Sequence, residues 1–140
     1  ITAEISMVYK VPQIYKSIVY FKSLRLNEVD TRAKLGDNDW NNSTPETCIR
    51  LKYGDETELY EYSKNSFNYI HKHKVDIYHS HREDYIRVSV LDVDYGFNGN
   101  DYINDTLVFL NDIEGEDYHN LRMKCVDELL IYSQFKGEVN

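Results

Sequence analysis

Aspartates carry most of the chemistry available to this sequence. Asp92, Asp94 and Asp101 fall in the stretch from Tyr85 to Thr106, with Gly96, Asn98, Gly99 and Asn100 between the second and the third. A run so rich in Gly, Asn and Asp reads as a loop. Carboxylates held close together in such a loop repel one another unless a cation sits among them. Ca2+ is the natural candidate, because it takes about six to eight oxygen ligands in a shell of adaptable geometry. A second acidic stretch, with Asp30, Asp37 and Asp39 beside Trp40, Asn41 and Asn42, lies upstream. The bland alternative is a solvated acidic turn in an acidic protein, so the surrounding elements have to decide.

Other chemistry finds less support. There is no nucleophile–base spacing, no Gly-rich phosphate loop and no helical pair of histidines with a glutamate, so the chain is not expected to be an enzyme. His71 and His73 are spaced i, i+2, and His79 and His81 repeat that spacing. Two such pairs could hold Zn2+ or Cu2+. Yet His71 and His73 share a strand face with Val75 and Ile77 and lack a carboxylate or Cys partner, which favours packed or hydrogen-bonded histidines. The net charge of −8 argues against nucleic acid as a partner, since phosphate binding needs clustered Lys and Arg. It argues equally against unaided binding to an anionic bilayer.

The 140 residues make one domain. No apolar run approaches the roughly 20 residues a membrane span needs. A chain that opens at Ile1 reads as a piece of a larger, multidomain protein. Cys48 and Cys125 could pair or could both be buried thiols. Sequons at Asn41, Asn42 and Asn104 carry little weight in an Asn-rich chain.

The elements that must position the aspartates are strands. Thirteen tyrosines and five phenylalanines, set among β-branched residues in short runs, favour them. Residues 1–16 read as a linker or an extra edge strand, and 17–140 as the domain. Ser17 to Leu26 alternates, with Ile18, Tyr20, Lys22 and Leu24 on one face and Val19, Phe21, Ser23 and Arg25 on the other. A long loop from Asn27 to Pro45 follows, with a helical turn at Arg32 to Leu35. Strands are expected at Cys48–Tyr53 and Leu59–Tyr62, joined by a Gly54-Asp55 turn. A polar turn from Lys64 leads into a strand ending at Tyr78, with Lys72, Lys74 and Asp76 on one face. Residues 79–84 form a polar turn. Ile86, Val88 and Val90 then alternate with Arg87 and Ser89 up to the aspartate loop. Leu107–Leu110, an acidic turn over residues 111–120, a short strand near Met123 and a last strand at Leu129–Phe135 complete the chain. The fold class is therefore all-β, an eight-stranded antiparallel β-sandwich. If each turn reverses the chain, residues 27–45, 63–70 and 92–106 fall at one end. The acidic loops can then converge.

Three segments resemble the C2 domain, the calcium- and phospholipid-binding β-sandwich family with a Greek-key topology. They are NSFNYIHKHKVDIY at Asn65 to Tyr78, IRVSVLDVD at Ile86 to Asp94 and ETCIRLKYGD at Glu46 to Asp55. Tyr69 stands where the family has proline, His71 where it has an aromatic, and Glu46 where it has aspartate. Gly36 to Trp40 and Asp92 to Phe97 are locally most similar to the C-terminal membrane-binding domain of perforin-type pore formers.

The resemblance implies a ligand set for Ca2+ of Asp39 and Glu46 from the first loop and Asp92, Asp94 and Asp101 from the third, with Asp37 substituting for Asp39 if the register slips. It implies a peripheral membrane module docking on anionic phospholipid through these loops, with Trp40, Tyr95 and Phe97 as membrane contacts. Lys72 and Lys74 would be lipid head-group residues, against the alternative of an ordinary solvated face. A calcium-independent protein-interaction scaffold of the same fold is the other function class, with proteins as partners.

Overall fold

The computed structural model describes residues 13–35, 46–54, 56–63, 66–69, 72–92 and 101–139. Strand β1 spans Ile14–Leu26 and helix α1 Glu28–Leu35; strands β2 (Thr47–Tyr53), β3 (Glu56–Ser63), β4 (Asn68–Tyr69), β5 (His73–His79), β6 (Tyr85–Asp92) and β7 (Asp101–Phe109) follow. A short 3-10 helix at Leu110–Ile113, β8 (His119–Asn120) and β9 (Val126–Val139) complete the described chain. All strand pairings are antiparallel. One sheet runs β4-β1-β9-β8, with β5 also on β1, and the other runs β3-β2-β6-β7. Because β4 pairs Leu24 and Arg25 while β5 pairs Tyr15 to Phe21, the two pieces share one edge of β1.

The inner faces supply the core. Val19, Phe21, Leu24 and Leu26 of β1 meet Ile49 and Leu51 of β2, Ile86, Val88 and Val90 of β6, and Leu129 and Ile131 of β9. In β6 the expected alternation holds for Ile86, Arg87 and Val88, but Ser89 and Leu91 are buried too. A central strand flanked on both sides has part of its outer face covered by its neighbours' side chains.

Several expectations need correction. The period-two reading of β1 fails at Ser23, which takes φ +44° where the β1–β9 register shifts between Lys22 and Leu24. This bulge adds one residue, so Leu24 joins Val19 and Phe21 in the core while Lys22 stays outside. Strand β1 starts at Ile14, inside the segment read as a linker or an extra edge strand. The helical turn is a two-turn helix. Asn27 Oδ1 accepts from the Asp30 N–H at 3.0 Å, capping it, and Glu28 pairs with Arg32 at 3.2 Å. The expected strand ending at Tyr78 is two pieces, and Asp101 to Thr106 belong to β7 rather than to the loop. Nine strand segments are described, against the eight expected.

Both cysteines are buried thiols, not bridged to each other. Cys125, at φ +72°, turns its carbonyl toward α1. The carbonyl accepts from the Asn27 N–H at 2.8 Å and from the Thr31 hydroxyl at 3.4 Å, so the helix start is tied to the turn before β9.

Candidate functional site

Pairing places the ends of the strands. Thr47 stands opposite Asp92, and Asp92 opposite Asp101. Leu26 pairs with Val126, and its N–H donates to the Phe67 carbonyl at 2.8 Å. Asn104 Nδ2 of β7 donates to the Lys124 carbonyl at 2.9 Å. The strand ends that flank residues 36–45, 64–65 and 93–100 therefore share one end of the sandwich. The opposite end is closed by the Tyr53 hydroxyl donating to Asp84 Oδ2 at 2.7 Å and by the Leu110 N–H donating to the Asp84 carbonyl at 2.9 Å.

Three of the acidic positions are thus neighbours at the loop end. Asp92 is the last residue of β6 and only 6% exposed. Its Oδ1 accepts from the Glu46 N–H at 3.0 Å, which fixes the residue before β2 against the end of β6. Asp101 opens β7 and is placed beside Asp92 by register. Thr47, across from Asp92, is 2% exposed, and its hydroxyl has no hydrogen-bond partner among the described residues. A buried hydroxyl without a partner is costly, about 1–3 kcal/mol. These donors are all oxygen, which suits a hard cation such as Ca2+ better than a soft one. Among the described residues, no three His, Cys, Asp or Glu side chains form a metal-holding group by themselves. Asp37, Asp39 and Asp94, and the aromatics Trp40, Tyr95 and Phe97, lie outside the described residues.

The histidines that are described serve packing or face solvent. His79 is not in a polar turn but at the buried end of β5, 1% exposed. Its Nδ1 is 2.6 Å from the His81 carbonyl oxygen. A carbonyl only accepts, so Nδ1 carries the proton and donates. Its Nε2 is 2.8 Å from Ser17 Oγ and then accepts the hydroxyl proton. With both nitrogens occupied and the rings of Tyr15, Tyr53 and Phe135 around it, His79 is a packing residue. His73 is half-buried beside Val75 and Ile77, His81 is exposed, and His71 lies outside the described residues.

Lys72 and Lys74 are exposed on the β1–β5–β9 sheet, as the alternation predicts. A second basic group lies on the other sheet. Lys52 is opposite Arg87, and Arg50 opposite Ser89, on the outer face of the second sheet. Arg50 reaches the Tyr102 hydroxyl and lies 5.1 Å from that ring's centre, while Arg87 pairs with Asp105. The alternation in CIRLKY and YIRVS contains this face, but only the register joins its two halves.

No family model matches the chain, and no curated protein matches it in sequence. Solved structures match in shape. Human GIVD cytosolic phospholipase A2, in complex with methyl gamma-linolenyl fluorophosphonate inhibitor and terbium chloride, superposes with a TM-score of 0.66 at 9% identity, over 92% of this chain and 19% of that one. The paired C2 domains, A and B, of extended synaptotagmin 2 give 0.60 at 12% identity, over 96% and 46%. The first of the C2 domains, domain A, of plant extended synaptotagmin 1 gives 0.56 at 13% identity, over 93% and 98%. The chain therefore has the C2 fold, and it spans about a fifth of the phospholipase chain.

Proposed function

We propose that this chain is a calcium-dependent membrane-docking module, a binding domain rather than a catalyst, within a larger protein of the perforin type. The observation that carries the reading is the meeting of Glu46, Thr47, Asp92 and Asp101 at one end of the sandwich, with a buried hydroxyl that has no partner among the described residues. In this reading Asp39, Glu46, Asp92, Asp94 and Asp101 hold Ca2+, with Asp37 as the substitute for Asp39. The bound ion would supply positive charge against the carboxylates and coordination for a lipid phosphate oxygen.

The chain's own residues set the switch. Uncompensated, the carboxylates at this end repel an anionic lipid surface. The Glu46–Asp92 hydrogen bond holds the β2 and β6 ends in register, so docking needs no rearrangement of the sandwich. Trp40, Tyr95 and Phe97 contribute aromatic surface of the kind favoured at a membrane–water interface. This reading gives Lys72 and Lys74, exposed beside and on β5, no part in the docking.

Calorimetric titration tests the site. Ca2+ binding by the wild-type chain, weakened at least about tenfold in Asp92→Asn, is the expected result. The Asn side chain keeps one oxygen to accept from the Glu46 N–H and loses the charge and the second oxygen. Absence of Ca2+ binding at millimolar concentration would leave the protein-interaction scaffold as the function.

A further inference from the structure

The outer face of the β5–β1–β9–β8 sheet is not used by the proposed docking. Along β1 it carries Lys16, Ile18, Tyr20 and Lys22, which alternate with buried Ser17, Val19 and Phe21. Tyr20 lies directly between Lys74 of β5 and Tyr132 of β9. The Tyr20 and Tyr132 rings stack at 4.4 Å, and Tyr118 meets Tyr132 edge-on at 4.8 Å. The Lys22 ammonium sits 5.6 Å from the Tyr118 ring centre, and the Lys16 ammonium 5.9 Å from that of Tyr78. Lys136 contacts Gln134, which also accepts from the Tyr20 hydroxyl at 3.3 Å.

The face therefore has a row of ordered tyrosines at its centre and five lysines, Lys16, Lys22, Lys72, Lys74 and Lys136, around it. The acids nearby are Asp76, 3.7 Å from Lys16, Glu116, and Glu128, which is taken up by Arg25 at 3.8 Å and by the Ser23 hydroxyl at 2.7 Å. On a chain of net charge −8, such a concentration of cations runs against the overall field. Fixed aromatic surface ringed by charge is the anatomy of a protein interface, where stacked rings lose little entropy on binding. The strands run toward the loop end, so this face is turned at right angles to it. Along the face, Lys22, Lys72 and Lys74 lie nearer the loop end, and Lys16 and Lys136 farther from it.

We propose that this face binds an acidic, tyrosine-containing polypeptide segment, its carboxylates on the lysines and its rings against Tyr20, Tyr118 and Tyr132. This binding does not rest on calcium or on the membrane reading. The probe is a synthetic peptide of alternating glutamate and tyrosine, followed by fluorescence anisotropy in chelator. The expected result is saturable binding that weakens as salt rises. It should fall at least about tenfold in Lys22→Glu/Lys74→Glu and change little in Lys52→Glu/Lys124→Glu, which reverses as much charge elsewhere.

Thermal unfolding of each variant shows that it is folded. The same variants are spun with phosphatidylserine vesicles, in chelator and in Ca2+. The proposal is overturned if the wild-type chain does not bind the peptide at low salt, or if both double variants lose it equally. It is also overturned if Lys22→Glu/Lys74→Glu abolishes vesicle pelleting, which would make the face a lipid surface. If no variant pellets under any condition, the membrane reading fails and the peptide titration still decides this one.

Discussion

At the scale of single residues, the site is distinguished by what is buried rather than by how many acids are present. Asp92 is nearly enclosed and holds the Glu46 N–H, whereas most of the chain's described carboxylates are exposed. Thr47 gives a direct test. Its hydroxyl is buried without a partner among the described residues, so Thr47→Val should leave the calcium-free unfolding midpoint unchanged or higher and weaken Ca2+ binding. A lower midpoint with unaltered affinity would show that the hydroxyl serves the fold alone. Tyr132 gives a test by pH. Burial, then Tyr118, Tyr20 and Glu116, raise its hydroxyl above the ordinary 10.0. The folded state then holds this proton more tightly than the unfolded state, so the contribution is intact below pH 10.0 and is lost as pH rises through the folded value. Tyr132→Phe should show a shallower loss of stability above that pH in denaturant titrations; an unchanged slope would contradict the assignment. Of these residues, the aspartates were legible in the sequence. Thr47 was not, because nothing in TPETCI marks one hydroxyl as enclosed until the β2–β6 register is known.

At the scale of elements, strand pairing brings Glu46, Asp92 and Asp101 together, and a capped helix leads out of β1. The chain leaves β1 through α1, whose first turn is held by the Asn27 side chain and by the Cys125 carbonyl. Arg32 of the same helix lies 5.1 Å from the Phe67 ring centre, joining the helix to the segment before β4. Asn27→Ala should therefore cost about 0.5–2 kcal/mol in denaturant unfolding, the usual cost of a lost cap. A value near zero would mean that the helix is held by Cys125 alone. Most of this layer was readable, because alternation identifies strands wherever one face is buried. It misled where local geometry breaks the period. The bulge at Ser23 moves Leu24 into the core, and no residue type there announces it. The helix was underestimated because charged residues fill EVDTRAKL, leaving little apolar periodicity to find. His79 was assigned to a turn because its neighbours Ser80 to Asp84 are polar, yet it closes the buried face of β5.

At the scale of the whole molecule, two antiparallel sheets set three surfaces at right angles or opposed to one another. The loop end gathers carboxylates, the face of β1 and β9 gathers lysines and tyrosines, and the outer face of β2 and β6 gathers Arg50, Lys52 and Arg87. The acidic balance of the chain conceals this separation, since net charge averages over it. The C2 fold was legible from three motifs in order, although the structural relatives share 9–13% of residues with this chain. Fold alone does not confer function, so the membrane reading has to be tested on the intact domain. The most direct measurement is co-sedimentation with phosphatidylserine-containing and neutral vesicles, with Ca2+ and with chelator, for the wild-type chain and Asp92→Asn/Asp94→Asn. Pelleting with anionic vesicles that requires Ca2+ and disappears in the double variant is the predicted result. Wild-type protein that stays in the supernatant with both vesicles at millimolar Ca2+, or a double variant that pellets as well as the wild type, would contradict calcium-dependent docking through this site.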